Sequence, residues 1–160
     1  MKKCAGILLR AAIIVVVASS IGIAVNLVSP QAIPWVYTRP KEIVAAGVAI
    51  PIISENKAHE LLDNGRTIFI DARHQADFTE GHVKGAFSLP APEKEDRFVE
   101  LQAMLPEESR VIVYCGGPEC EMADKVAGFL AQLGYKKVEI MREGFSAWKK
   151  AGYPVESDVK

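Results

Sequence analysis

The chain has 160 residues, a formal net charge of −1 and 24% charged residues, which fits one ordinary domain and an appendage. Three cysteines do not make a disulfide framework. No basic patch interleaved with aromatics is present, so nucleic-acid binding has no support.

The appendage comes first. Residues 1–10 carry Lys2, Lys3 and Arg10 and no acid. Residues 11–28 hold no charge, and only Ser19, Ser20 and Asn26 are clearly polar. Eighteen residues at helical rise span roughly 27 Å, close to the hydrocarbon thickness of a bilayer. The run therefore reads as a transmembrane anchor. The positive-inside tendency puts 1–10 in the cytoplasm and the C-terminal part on the periplasmic or equivalent side of an inner membrane. A secretory signal is the competing reading, with Ala11 to Ala18 as its core and cleavage near Ser19-Ser20, leaving the domain free in the periplasm. Continuation of the apolar run through Ile21 to Val28 favours the retained anchor. Cys4 lies ahead of that run, so in this orientation it cannot pair with the other two cysteines in one molecule. It also lacks the small apolar residues that precede a lipoprotein cleavage site. All 20 acidic residues and 16 of the 19 lysines and arginines follow the run, leaving that part four charges negative.

Residues 29–50 read as a linker, punctuated by Pro30, Pro34 and Pro40. Ile33, Trp35, Val36 and Tyr37 suit a membrane-interface position. A short helix over Lys41 to Ala46, closed by Gly47, is expected there. The domain proper is expected over 51–157. Its first strand is read at Val48 to Ile53, and Ser54 caps a helix through Leu62 that Asn64-Gly65 ends. Thr67 to Ile70 is a second strand, followed by a short helix near Gln75 to Thr79. A third strand is expected at Ala86 to Leu89 and a helix over Glu93 to Met104. Val111 to Tyr114 is the fourth strand. A helix over Glu121 to Leu133 stops at Gly134, Lys137 to Met141 is the fifth strand, and Gly144 to Lys150 is a last helical turn or two. Strands alternating with helices imply an α/β fold, a roughly five-stranded parallel sheet with helices on both faces. The carboxyl ends of parallel strands share one rim, where ligands bind. Arg73, Cys115 and Arg142 each follow a strand and should converge there.

Cys115 is the chemically informative residue. It opens the loop Cys115-Gly116-Gly117-Pro118-Glu119-Cys120-Glu121, behind an apolar strand and ahead of a helix. Such a strand, Gly-rich turn and helix start can cradle an anion on loop amides and the first helical N–H groups. The same field favours thiolate over thiol. Two further stretches extend the pattern. One is Phe69-Ile70-Asp71-Ala72-Arg73 with Phe78-Thr79-Glu80-Gly81-His82-Val83-Lys84-Gly85-Ala86. The other is Glu143-Gly144-Phe145-Ser146-Ala147-Trp148 with Ala151-Gly152-Tyr153-Pro154-Val155. In order and spacing with the Cys115 loop, these resemble the signature segments of the rhodanese (sulfurtransferase) family, from about Ile52 to Glu156. The loop departs from that family's common pattern, which has Arg at the place of Cys120 and a small hydroxyl residue at that of Glu121. The last signature has Glu143 where a first glycine is usual.

The resemblance implies a rhodanese-like fold and covalent sulfur transfer, with Cys115 as nucleophile and persulfide carrier. Neither metal nor organic cofactor is implied. The partners are a small-molecule or protein persulfide donor and a thiol or other nucleophilic acceptor, together with the membrane through the N-terminal helix. Gly116 and Gly117 let the backbone curl close to the sulfur, while Arg73, Arg142 and Asp71 are expected to support the rim. Glu119 and Glu121 would raise the Cys115 pKa and repel a dianion such as thiosulfate. The helix dipole opposes this by about 0.3–1 kcal/mol per nearby charge. A persulfide donor therefore fits better. Cys120 is read as a resolving thiol, a redox lock or a small packed residue. Two rivals stand beside the enzyme: a non-catalytic rhodanese-like binding module, and a Cys115/Cys120 thiol-disulfide oxidoreductase.

Overall fold

The structure, a computed structural model, describes residues 2–29 and 41–159. The expected interface aromatics Trp35 and Tyr37, the prolines Pro30, Pro34 and Pro40 and the side chain of Cys4 lie outside the described residues. Two compact units are present, Met1–Arg39 and Pro40–Lys160.

In the first unit, Lys2–Val28 forms one helix, α1. Its Arg10–Val28 stretch is long and apolar enough to cross a membrane. Within it the Ser20 hydroxyl donates to the Val16 carbonyl at 2.8 Å, which gives the polar side chain a partner inside the helix itself.

The second unit opens with a hairpin. Glu42–Ala45 is strand β1, antiparallel to β2, Val48–Ile53. The helix expected at Lys41 to Ala46 is thus absent, and the latter part of the stretch read as linker is built into the sheet. The reason is local. Six residues are too few to nucleate a helix unaided, whereas alternate inward placement of Ile43 and Ala45 suits a strand. Ala46 and Gly47 both have positive φ, +52° and +80°. That is the backbone a two-residue hairpin needs to match strand twist.

Next come α2 (Glu55–His59), capped by the Ser54 hydroxyl accepting from the Lys57 N–H at 3.3 Å, and β3 (Thr67–Asp71). Then follow α3 (Gln75–Glu80), β4 (His82–Val83), β5 (Phe87–Ser88) and α4 (Lys94–Leu101), the last flanked by single 3-10 turns. The chain closes with β6 (Arg110–Tyr114), α5 (Met122–Gln132), β7 (Val138–Met141), α6 (Gly144–Lys150) and β8 (Val155–Glu156).

Among the described residues the main sheet has six strands in the order β1-β2-β7-β6-β3-β5, parallel except for β1. A two-residue pair that sequence reading did not foresee, β4 with β8, ties His82 to Glu156. Side-chain alternation divides the core. Val111, Val113 and Cys115 of the β6 segment pack with Val126, Ala127 and Leu130 of α5 on one face. Ile112 and Tyr114 pack with Phe69, Phe78 and Trp148 on the other. Gly128 has a packing reason to interrupt α5, since a Cβ there would lie 3.0 Å from the Ala46 Cβ. The helix thereby seats the hairpin.

Register places the site. Asp71 is opposite Tyr114, and Tyr114 opposite Met141, while Ile53 and Ser88 end the flanking strands in the same row. Cys115 and Arg142 are the next residues out. The rim inferred from alternation is present.

Candidate active site

Cys115 continues the β6 alternation by one residue, which directs its side chain to the α5 face, where it lies against the buried cluster containing Ala123 and Val126. It is 2% exposed and disulfide-bonded to Cys120, with the two Cα atoms 6.3 Å apart. Between them the loop turns back on itself, with the Cys120 N–H donating to the Gly117 carbonyl at 3.1 Å. An open concavity of about 330 Å³ lies outside the loop, lined by Gly117, Pro118, Glu119 and Cys120. Glu121 is exposed at the N-cap of α5 and its side chain makes no capping bond.

The loop is clasped from behind by the start of α6. The Phe145 N–H donates to the Cys115 carbonyl at 2.7 Å, and the Ser146 N–H to the Gly116 carbonyl at 3.1 Å. In a trans peptide the C=O and N–H point in opposite directions. The N–H groups of Gly116 and Gly117, paired with those two carbonyls, therefore point away from α6. This clasp requires Gly144. Its φ is +67°, and a Cβ there would lie 2.5 Å from the Cys115 oxygen and 2.7 Å from the Gly117 nitrogen.

The second strand end supplies a buried ion pair. Asp71, fully buried, accepts from Arg73 Nε at 3.0 and 3.1 Å, from Nη2 at 2.6 Å and from the Arg73 backbone N–H at 2.9 Å. Arg73 Nη2 also donates to the Gly81 carbonyl at 2.6 Å, and the guanidinium lies 4.3 Å from the Phe145 ring centroid. Burial alone would lower the Arg73 pKa, but the Asp71 hydrogen bond and charge outweigh it and the net shift is upward. Tyr114 completes this corner, its hydroxyl accepting from the Val83 N–H at 3.0 Å. Burial, and then the Asp71 charge, push the phenol well above the ordinary tyrosine range.

Arg142 is placed at the rim as expected and bonds Asp124 in the first turn of α5, at 2.9 Å for the closest pair of atoms. Asp71, Arg73, Cys115 and Arg142 thus share one end of the sheet, and each of the two guanidinium groups already faces a carboxylate. Sequence reading did not find three members: the Gly144 clasp, the Phe145 face under Arg73, and the Gly81 carbonyl as a further Arg73 acceptor. Gly81, Gly144 and Phe145 stood inside the quoted segments, but their roles depend on contacts between distant elements. His82, meanwhile, is satisfied in its turn. Its Nδ1 lies 2.8 Å from the Phe78 carbonyl, and its ring stacks on Phe78. Trp148 is core, fully buried, with its indole N–H donating to the Pro154 carbonyl at 2.9 Å.

Comparison with known proteins agrees with this fold. A family model described as "Rhodanese-like domain" matches residues 54–151. The thiosulfate sulfurtransferase GlpE of Haemophilus influenzae is 31% identical over 105 residues, covering 66% of this chain and 93% of that protein. The HTH-type transcriptional regulator Rv0324 of Mycobacterium tuberculosis is 29% identical over 92 residues, covering 58% of this chain; the match spans only 38% of the regulator's own length. The crystal structure of BH2092 from Bacillus halodurans superposes with a TM-score of 0.59 at 29% identity, covering 67% of this chain and 77% of that one.

Proposed function

The chain belongs to the rhodanese-like domain family, and on that premise we propose that it is a sulfurtransferase whose Cys115 carries sulfane sulfur as a persulfide. One observation carries the reading: Cys115 sits where β6 ends, at the rim shared by the parallel strands, with its loop backbone clasped by the Phe145 and Ser146 N–H groups.

In the reduced protein, the Cys115 thiolate attacks the outer sulfur of a donor persulfide. The donor S–S bond breaks, the donor thiolate leaves, and Cys115 holds the transferred sulfur as Sγ–S⁻. An acceptor thiolate then attacks that outer sulfur, takes it as a new persulfide, and restores the Cys115 thiolate. The Gly116 and Gly117 amides and the start of α5 are the donors this reading assigns to the terminal sulfur. Arg73 and Arg142 serve this chemistry by holding the rim in shape, since their guanidinium groups are already engaged by Asp71 and Asp124. With exposed Glu119 and Glu121 beside the loop, a persulfide is a better donor than dianionic thiosulfate.

The domain is assigned to the extracytoplasmic side of a membrane, held there by α1. The apolar Arg10–Val28 stretch and the cations Lys2, Lys3 and Arg10 support this.

Mass spectrometry of the reduced full chain after incubation with a persulfide tests both points. One added sulfur mapping to Cys115 is expected when Cys120 is replaced by Ser, and none in Cys115→Ser, and a membrane-impermeant donor should load that Cys120→Ser chain in right-side-out vesicles. Transferase activity retained in Cys115→Ser sinks the reading, and a Cys120→Ser chain that never gains sulfur at Cys115 is a binding module instead. The disulfide favours one second reading, a thiol-disulfide oxidoreductase. A reversible redox titration of the Cys115/Cys120 pair, with exchange activity in place of sulfur uptake, would establish it.

A further inference from the structure

We propose that Cys120 discharges the Cys115 persulfide, so that the protein releases its cargo as hydrosulfide and is reset by an external dithiol. This step rests on the sulfur-transfer reading and gives the loaded state its exit.

The geometry carries it. The two sulfurs are already bonded, so Cys120 Sγ reaches the inner sulfur, Cys115 Sγ, in the folded domain. That closure coexists with every backbone bond that holds the loop: Cys120 N–H to Gly117, Phe145 N–H to Cys115 and Ser146 N–H to Gly116. Attack on the inner sulfur therefore needs no rearrangement of the clasp, and as an intramolecular step it has an orientation advantage over external thiols.

In this step the Cys120 thiolate attacks Cys115 Sγ. The Sγ–S⁻ first takes a proton from water; the Sγ–Cys120 bond then forms, the bond to the outer sulfur breaks, and that sulfur departs as hydrosulfide. The sulfane sulfur is reduced to the sulfide level, while the two cysteines are oxidised together to the disulfide. In the product the Cys115 sulfur is bonded to Cys120, so no thiolate is left there to attack a second donor. A dithiol supplies two electrons and two protons, becomes a disulfide itself, and frees both cysteines. The net change converts one persulfide and one dithiol into one thiol, one hydrogen sulfide and one disulfide. Cys120 packs against the α5-side core and is at the same time bonded to Cys115, so packing and a resolving role coexist at this residue.

The test is a single turnover of the reduced full chain with cysteine persulfide carrying isotopically labelled outer sulfur, without added reductant. The wild-type chain is expected to release labelled hydrosulfide and finish with a Cys115–Cys120 disulfide. Cys120→Ser and Cys120→Ala are expected to retain labelled sulfur on Cys115 and lose that release. Adding a dithiol should restore multiple turnovers in the wild type. Wild-type protein that holds its persulfide with Cys120 free overturns the inference, as does release from both variants at the wild-type rate. Variants that take up no label at Cys115 while folded by circular dichroism overturn the sulfur-transfer reading itself, and this inference with it.

Discussion

Replacing Gly144 by Ala isolates the clasp that shapes the Cys115 loop. Two costs add. Holding an L-residue at φ +67° costs about 1–2 kcal/mol. A Cβ placed 2.5 Å from the Cys115 oxygen, 2.7 Å from the Gly117 nitrogen and 2.9 Å from the Gly116 carbonyl carbon forces backbone, not a flexible side chain, to move. Overpacking of that kind costs about 1–3 kcal/mol. The reduced freedom of the unfolded chain returns about 0.4–1 kcal/mol. The expected net loss is roughly 2–4 kcal/mol, a large share of the roughly 5–15 kcal/mol typical of a domain. Gly134 is the internal control, with φ +102° and nothing within 4 Å of a built Cβ. Gly134→Ala should therefore lose only the conformational part, about 1 kcal/mol. Urea unfolding of both variants, extrapolated to water, measures the difference. Sulfur loading of the folded Gly144→Ala protein should also slow by at least about tenfold, because the loop that presents Cys115 is displaced. Equal destabilisation by the two substitutions would refute the close-approach reasoning, and wild-type loading by Gly144→Ala would refute its link to the site.

Arg73→Met leaves the fully buried Asp71 carboxylate without its guanidinium and should cost roughly 3–5 kcal/mol in the same unfolding assay. The double variant Asp71→Asn with Arg73→Met should recover part of that loss, and a single variant within about 1 kcal/mol of wild type would contradict the assignment of a buried pair. Tyr114 is raised by burial and then by the Asp71 charge, and Tyr135 by burial and then by Glu107. Both phenols ionise less readily folded than unfolded. Their contribution to stability is complete below the unfolded value of about 10 and is lost as pH climbs towards the folded values. Tyrosinate absorbance should show late ionisation that Tyr114→Phe and Tyr135→Phe each diminish; all tyrosines ionising together near about 10 would contradict it.

Much of this protein was legible in the order of its residues, because the features concerned are local. Short apolar runs mark the long strands, the Ser54 cap marks the start of α2, and strand-then-glycine-then-helix marks the Cys115 loop. Alternation of strands with helices implied a parallel sheet, and with it a shared rim for Arg73, Cys115 and Arg142. Short elements were less legible. The β4–β8 pair has two residues per strand, too few to show a period, and β1 was read as a helix because Lys41 to Ala46 is as compatible with one as with a strand.

Only the tertiary structure decided the rest, since those properties belong to pairs of elements distant along the chain. That Gly144 must be glycine is a consequence of how closely α6 approaches the loop after β6. The commitment of Arg73 to Asp71 and Gly81, and of Arg142 to Asp124, is set by which carboxylates and carbonyls the fold brings within reach. Whether Cys120 meets Cys115 depends on the turn closed at Gly117, and a spacing of five residues permits that meeting without requiring it. Periodicity tells which way a side chain faces; the neighbours it finds there are set by packing.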